Sequence, residues 1–135
     1  MKPWGKWQVK MQGRRPQCGL TRARIDFGTG TRALKMWTAL DVLMPAVVQT
    51  LKNVGHPSQA RLLVDWQRSF NYRVPELIGS WVMELDGEQW AALSRGLRHL
   101  GPKGRARLDW IYQHVEYTYP EGGVVYSPTY RRPKL

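Results

Sequence analysis

The chain has little acid, little histidine and almost no cysteine. Of its 135 residues ten are Asp or Glu, three are His, and Cys18 is the single thiol. One cysteine closes no internal disulfide, and with no His or Cys near it in the sequence it makes no zinc pattern, so a reducing, cytoplasmic setting is expected. No apolar run approaches the roughly 18 residues that a membrane-spanning helix needs. Met1 to Gln12 mixes Lys, Trp and Gln without an apolar segment, so no secretory signal is expected there.

The absences continue among the motifs that carry catalysis. His56, His99 and His114 stand far apart, and none forms the i, i+4 pair that would set two imidazoles on one helix face. Gly28-Thr29-Gly30-Thr31 lacks the Lys-Ser/Thr pair of a phosphate loop and reads as a strand-to-helix turn. The few carboxylates form no sequence cluster of the kind that holds two magnesium ions, and Asp65, Glu84, Glu88 and Asp109 would matter only if the fold gathered them in one cleft. The expectation is a protein that is not an enzyme, with no cofactor, no metal and no small-molecule substrate.

Cation and aromatic surface are abundant. Twenty-one Lys and Arg give a formal net charge of +11, while seven Trp, six Tyr and a hydrophobic share of 42% argue against disorder and for one packed domain spanning 1–135. The excess is segregated. Residues 1 to 35 hold nine Lys or Arg against the lone Asp26, and the last five residues hold Arg131, Arg132 and Lys134, whereas residues 36 to 130 balance nine bases with nine acids. Solubility needs only scattered charge, so concentration at the ends points to a polyanionic partner, nucleic acid before an acidic membrane or protein surface.

Periodicity organises the rest. Trp7, Val9 and Met11 alternate with Lys6, Gln8, Lys10 and Gln12, and Ala23, Ile25 and Phe27 alternate with Arg22, Arg24 and Asp26; this period of two predicts a β-ribbon with its turn in Gly13 to Leu20. Its polar face would be a basic plate of Lys6, Lys10, Arg22 and Arg24, with Arg14 and Arg15 at the tip. Helical spacing predicts α-structure from Thr31, as N-cap, to Asn53, kinked near Asp41 or divided by Pro45, and again from Pro57 to Phe70. A third helix is expected from Pro75 through Leu77, Ile78, Trp81, Val82 and Leu85. Asp86 should cap a fourth that closes at Gly101, and Pro102 should open a fifth reaching Val115. Alternation at Val115, Tyr117 and Tyr119, then Gly122-Gly123 and Val124 to Tyr126, predicts a second hairpin. The fold class is therefore α+β, mostly helical: a compact bundle of four or five short helices (about 31–116), flanked by an N-terminal ribbon (about 1–30) and a C-terminal hairpin with a basic tail (about 117–135).

Two clusters carry the binding chemistry. At the ends, Lys2, Trp4, Lys6, Lys10, Arg14, Arg15, Arg22 and Arg24, with Arg131, Arg132 and Lys134 beside Tyr126 and Tyr130, interleave phosphate-neutralising cations with rings able to stack on unpaired bases. Between the last two helices, Arg95, Arg98, Lys103, Arg105 and Arg107 crowd around Gly101-Pro102, where a helix N-terminus adds backbone amides. Trp4, Trp7, the run Arg15-Pro16-Gln17-Cys18 and a helix ending Leu62-Leu63-Val64-Asp65-Trp66 resemble the late-gene antiterminators of lambdoid phages, over less than half of the chain. The helix-turn-helix that this resemblance implies is not recognisable downstream. The leading expectation is an accessory or regulatory subunit of a ribonucleoprotein, phage or transcription assembly, binding RNA or DNA through its basic termini. The alternative is a phage-type protein that inhibits or regulates a host machine, including an antiterminator-like factor.

Overall fold

A computed structural model describes residues 20–69, 74–75, 80–120 and 123–131. The chain is α+β. It runs through β1 (Arg22–Thr29), α1 (Gly30–Asn53), α2 (Pro57–Arg68), β2 (Val74–Pro75), β3 (Ser80–Asp86), α3 (Gly87–Leu100), α4 (Pro102–Tyr112), β4 (Val115–Thr118) and β5 (Val124–Tyr126). The strands form one sheet in the order β2-β3-β1-β4-β5, with every neighbouring pair antiparallel.

The sheet inherits the alternation of β1. Ala23, Ile25 and Phe27 are buried while Arg22 is exposed and Arg24 and Asp26 half-buried. Register places Leu85 and Tyr117 opposite Ala23, and Met83 and Val115 opposite Ile25, so one face of the three central strands is wholly apolar. Against it lie Trp37, Leu40, Met44, Val47 and Leu51 of α1, Leu63 and Trp66 of α2, Trp90, Leu93 and Leu97 of α3, and Leu108 and Ile111 of α4, all in one core. Trp90 is fully buried and meets the rings of Tyr117 (5.5 Å) and Tyr112 (6.1 Å) edge to face.

Three elements differ from expectation. Residues 80–86, expected within a third helix, form β3. Trp81, Val82, Met83 and Leu85 make a short, nearly continuous apolar run whose period does not separate a strand from a helix; Val82 and Met83 are both buried, whereas Glu84 and Asp86 lie on the polar face of the sheet. Pro45 neither divides nor ends α1, which is one helix of 24 residues. Pro45 sits on the solvent side, where water can satisfy the orphaned carbonyl of Asp41, while fully buried Met44 and Val47 hold the helix on both sides. The N-cap of α1 is Thr29 rather than Thr31, and its side chain makes no capping bond.

The expected ribbon also changes partners. Both edges of β1 are taken, by β3 and by β4, so β1 is the centre of the sheet; Lys6 to Gln12 lie outside the described residues. A bulge displaces the register between Asp26 and Gly28, where Gly28 takes φ +88° and donates its N–H to Asp26 Oδ1 at 2.8 Å. Two further sequence signals correspond to structure. Asp86 and Gln89 form a reciprocal capping box on α3, with N···O distances of 2.8 and 2.9 Å, and β4 pairs with β5. Among the described residues no helix is long and apolar enough to cross a membrane.

Candidate nucleic-acid interface

The cations divide into three groups by what surrounds them. On the polar face of the sheet, Arg22 pairs with Glu84 at 2.9 Å, and Arg24 has Glu84 and Glu116 directly opposite on its two flanking strands. Asp26 and Asp86 share this face by register, so its two arginines stand among four carboxylates. The described part of the expected plate is therefore not a basic surface. Arg22 and Glu84 also line an open cleft of about 630 Å³ with Trp66, Asp86, Gln89 and Thr118.

Arg95 belongs to the second group, cations used to hold the fold. Its Nη1 lies 3.1 and 3.0 Å from the two ring nitrogens of His56, which joins α3 to the corner between α1 and α2. Arg98 donates from Nε to the carbonyl of Ser94 at 3.3 Å, within its own helix, but remains exposed together with His99.

The third group lies along one face of α4 and at the start of α1, as a strip. Lys103 and Arg107 share a helix face with Trp110, and His114 follows in the turn after α4. Arg107 Nη1 approaches Met36 Sδ at 4.0 Å, placing α4 beside the helix turn that bears Arg32 and Lys35. Its Nε is buried without a hydrogen-bond partner. Trp110 stacks on Phe27 (5.4 Å, 28°), the residue at the β1 bulge, and lies 4.3 Å from the ring of His114. Arg32, Lys35, Lys103, Arg105 and Arg131 are all exposed. Asp26, already bonded to Gly28 N–H, and Glu116 lie at the strip's C-terminal end, while Asp109 shares the other flank of α4 with Arg105.

His114 is where the strip meets the C-terminal segment. Its carbonyl accepts from Asp26 N–H at 3.1 Å, and the carbonyl of Gln113 accepts from Arg131 N–H at 2.8 Å. Burial lowers the imidazole pKa; Asp26 opposes this, and the nearby Arg32 and Arg131 reinforce it. Ser127, buried, donates to the carbonyl of Tyr112 and fixes the same segment. Tyr126 and Tyr130 then face each other at 4.2 Å, both half-buried, and Tyr130 OH donates to Glu116 Oε1 at 3.4 Å. Burial first, then the charges of Glu116 and Asp26, push the Tyr130 phenol up to about 12.

Of the residues expected to bind nucleic acid, Lys103 and Arg107 share one face of α4 and Arg131 lies near His114 beyond its end, whereas Arg105 is on the opposite flank with Asp109 and Arg98 is exposed near the end of α3. Lys2, Trp4, Lys6, Lys10, Arg14, Arg15, Arg132 and Lys134 lie outside the described residues. Arg32, Lys35 and His114 were not singled out as site residues. The i, i+3 spacing of Arg32 and Lys35 on the first turns of α1 was the available signal, but their proximity to α4 depends on tertiary packing. Among the described residues, no three His, Cys, Asp or Glu side chains gather as a metal site. No family model, curated protein or solved structure matches the chain significantly.

Proposed function

We propose that this protein is a non-enzymatic nucleic-acid-binding accessory or regulatory subunit of a larger intracellular assembly, holding a phosphate backbone along the α1–α4 strip and its basic ends. One observation carries the reading: Lys103 and Arg107 share a face of α4 beside the helix turn that bears Arg32 and Lys35, with Arg131 near its far end, whereas Arg22 and Arg24 are set among carboxylates. Phosphates gain most from cations that are not already neutralised, and each contact releases condensed counterions. Arg22 and Arg24 are therefore removed from the proposed contact set, and Arg32 and Lys35 join it.

Absorbance of the freshly purified protein at 260 and 280 nm, before and after nuclease and high-salt washing, tests this directly. A ratio raised by bound polynucleotide and lowered by the wash supports the reading; a pure-protein ratio, with no binding of added RNA or DNA at low salt, refutes it. A second reading, a protein-binding regulator, is favoured by the outer face of α1, where Leu34 and Val42 are 46% and 70% exposed and lie eight residues apart on one stripe. Partner capture that survives nuclease treatment would favour that reading.

A further inference from the structure

We propose that Tyr126 and Tyr130, with Arg32, His114 and Arg131 beside them, form a subsite for one nucleotide of an unpaired strand. The inference rests on the nucleic-acid reading above and narrows its ligand from polynucleotide to single-stranded polynucleotide. Two half-buried tyrosine rings 4.2 Å apart form a partly exposed aromatic surface at the end of an edge strand. Tyr130 is held by its hydroxyl on Glu116, and the segment beneath by Ser127 on Tyr112 and Arg131 N–H on Gln113. Such rings are fixed before a ligand arrives, so little ordering cost is added on binding.

The charges around the rings orient the nucleotide. Glu116, bonded to the Tyr130 hydroxyl, repels a phosphate from the ring side, whereas Arg131 and Arg32 attract it near His114, where Asp26, bonded to Gly28 N–H, offsets part of their charge. The base is thus directed over the tyrosines and the phosphate toward the guanidiniums. A duplex offers the same phosphates but keeps its bases stacked inside, so the rings discriminate between the two forms.

The test compares a labelled oligoadenylate of about twelve nucleotides, as RNA and as DNA, with a duplex of equal length. Binding to the full chain is read by fluorescence anisotropy. The expected result is that Tyr126→Leu weakens single-strand binding roughly 5-fold or more while duplex affinity is unchanged, and that Tyr126→Phe, which keeps the ring, binds as the wild type does. RNA and DNA arms that differ show whether the 2′-hydroxyl is also read. If wild type binds single strand and duplex alike and Tyr126→Leu alters neither, the subsite is refuted while the wider reading stands; if wild type binds neither probe, both fail. Should Tyr126→Leu not fold, wild-type protein is photocrosslinked to an iodouridine-substituted oligonucleotide. Crosslinks within residues 123–131 support the subsite, and crosslinks confined elsewhere, or none, overturn it.

Discussion

Substitution of Gly104 by Ala probes the packing that carries the strip. Gly104 lies in the first turn of α4, where a Cβ would overlap the carbonyl oxygen of Leu97 and stand 2.8 Å from Leu100 Cβ and 3.1 Å from Leu97 C. Most of this obstruction is backbone of α3 and cannot rotate away, so α4 must shift. Overpacking costs typically about 1–3 kcal/mol, with rigid backbone at the upper end. Replacing Gly by Ala in a helix returns at most about 1 kcal/mol. The net destabilisation is about 2 kcal/mol, or a fall in melting temperature of roughly 6–10 °C for a chain of this size. Circular dichroism at 222 nm during heating measures it, with Gly123→Ala as control, since a Cβ there meets nothing within 4 Å. Gly104→Ala should also weaken polynucleotide binding below its melting temperature, because Lys103 and Arg107 move with α4. A variant that melts at or above wild type would refute the close approach of α3 and α4.

Other perturbations separate fold from binding. Asp86→Ala removes the capping box of α3 and should lower stability by about 1 kcal/mol in urea unfolding without altering polynucleotide affinity. Arg107→Met should hold or raise stability, because it deletes a buried Nε with no partner, yet weaken polynucleotide binding in the same preparation. The phenol of Tyr130 is raised to about 12 when folded, so its contribution to stability is complete below pH 10 and lost as pH rises toward 12; burial also raises Tyr112 and Tyr117, so Tyr130→Phe should reduce the late step in phenolate absorbance at 295 nm by one tyrosine's amplitude. The His114 imidazole is lowered when folded, so its contribution is complete above the ordinary histidine pKa and declines on acidification. Thermal melts from pH 7 to pH 5 should therefore fall less steeply for His114→Gln than for wild type.

Much of the helical layer was legible because its ends carry local chemistry. Asp86 with Gln89, Pro57 and Gly101-Pro102 mark helix boundaries whatever the tertiary context. The segment at 80–86 was not legible, since consecutive burial of Val82 and Met83 breaks the alternation and leaves too short a period to separate a strand from a helix. Strand partnership was hidden for a different reason: alternation in β1 reveals which residues face inward, not whether a neighbour comes from residues 6–12 or from β3 and β4. The same limit governs the site. Arg22 and Arg24 look like binding residues by composition, and only register places Glu84 and Glu116 across from them. The Arg95–His56 contact spans 39 residues, and the approach of Arg107 to Met36 spans 71, distances over which no local pattern operates.

Solvent-facing cations of α1 and α4, rather than those on the sheet, are proposed to neutralise phosphate. The most direct measurement is the dependence of affinity on ionic strength for wild type, for Arg32→Gln/Lys35→Gln/Lys103→Gln, and for Arg22→Gln/Arg24→Gln. The triple variant should flatten the slope of log affinity against log salt by roughly 2–3, whereas the sheet pair should leave it nearly unchanged. Equal slopes for wild type and the triple variant, or a larger loss from the sheet pair, would contradict the account.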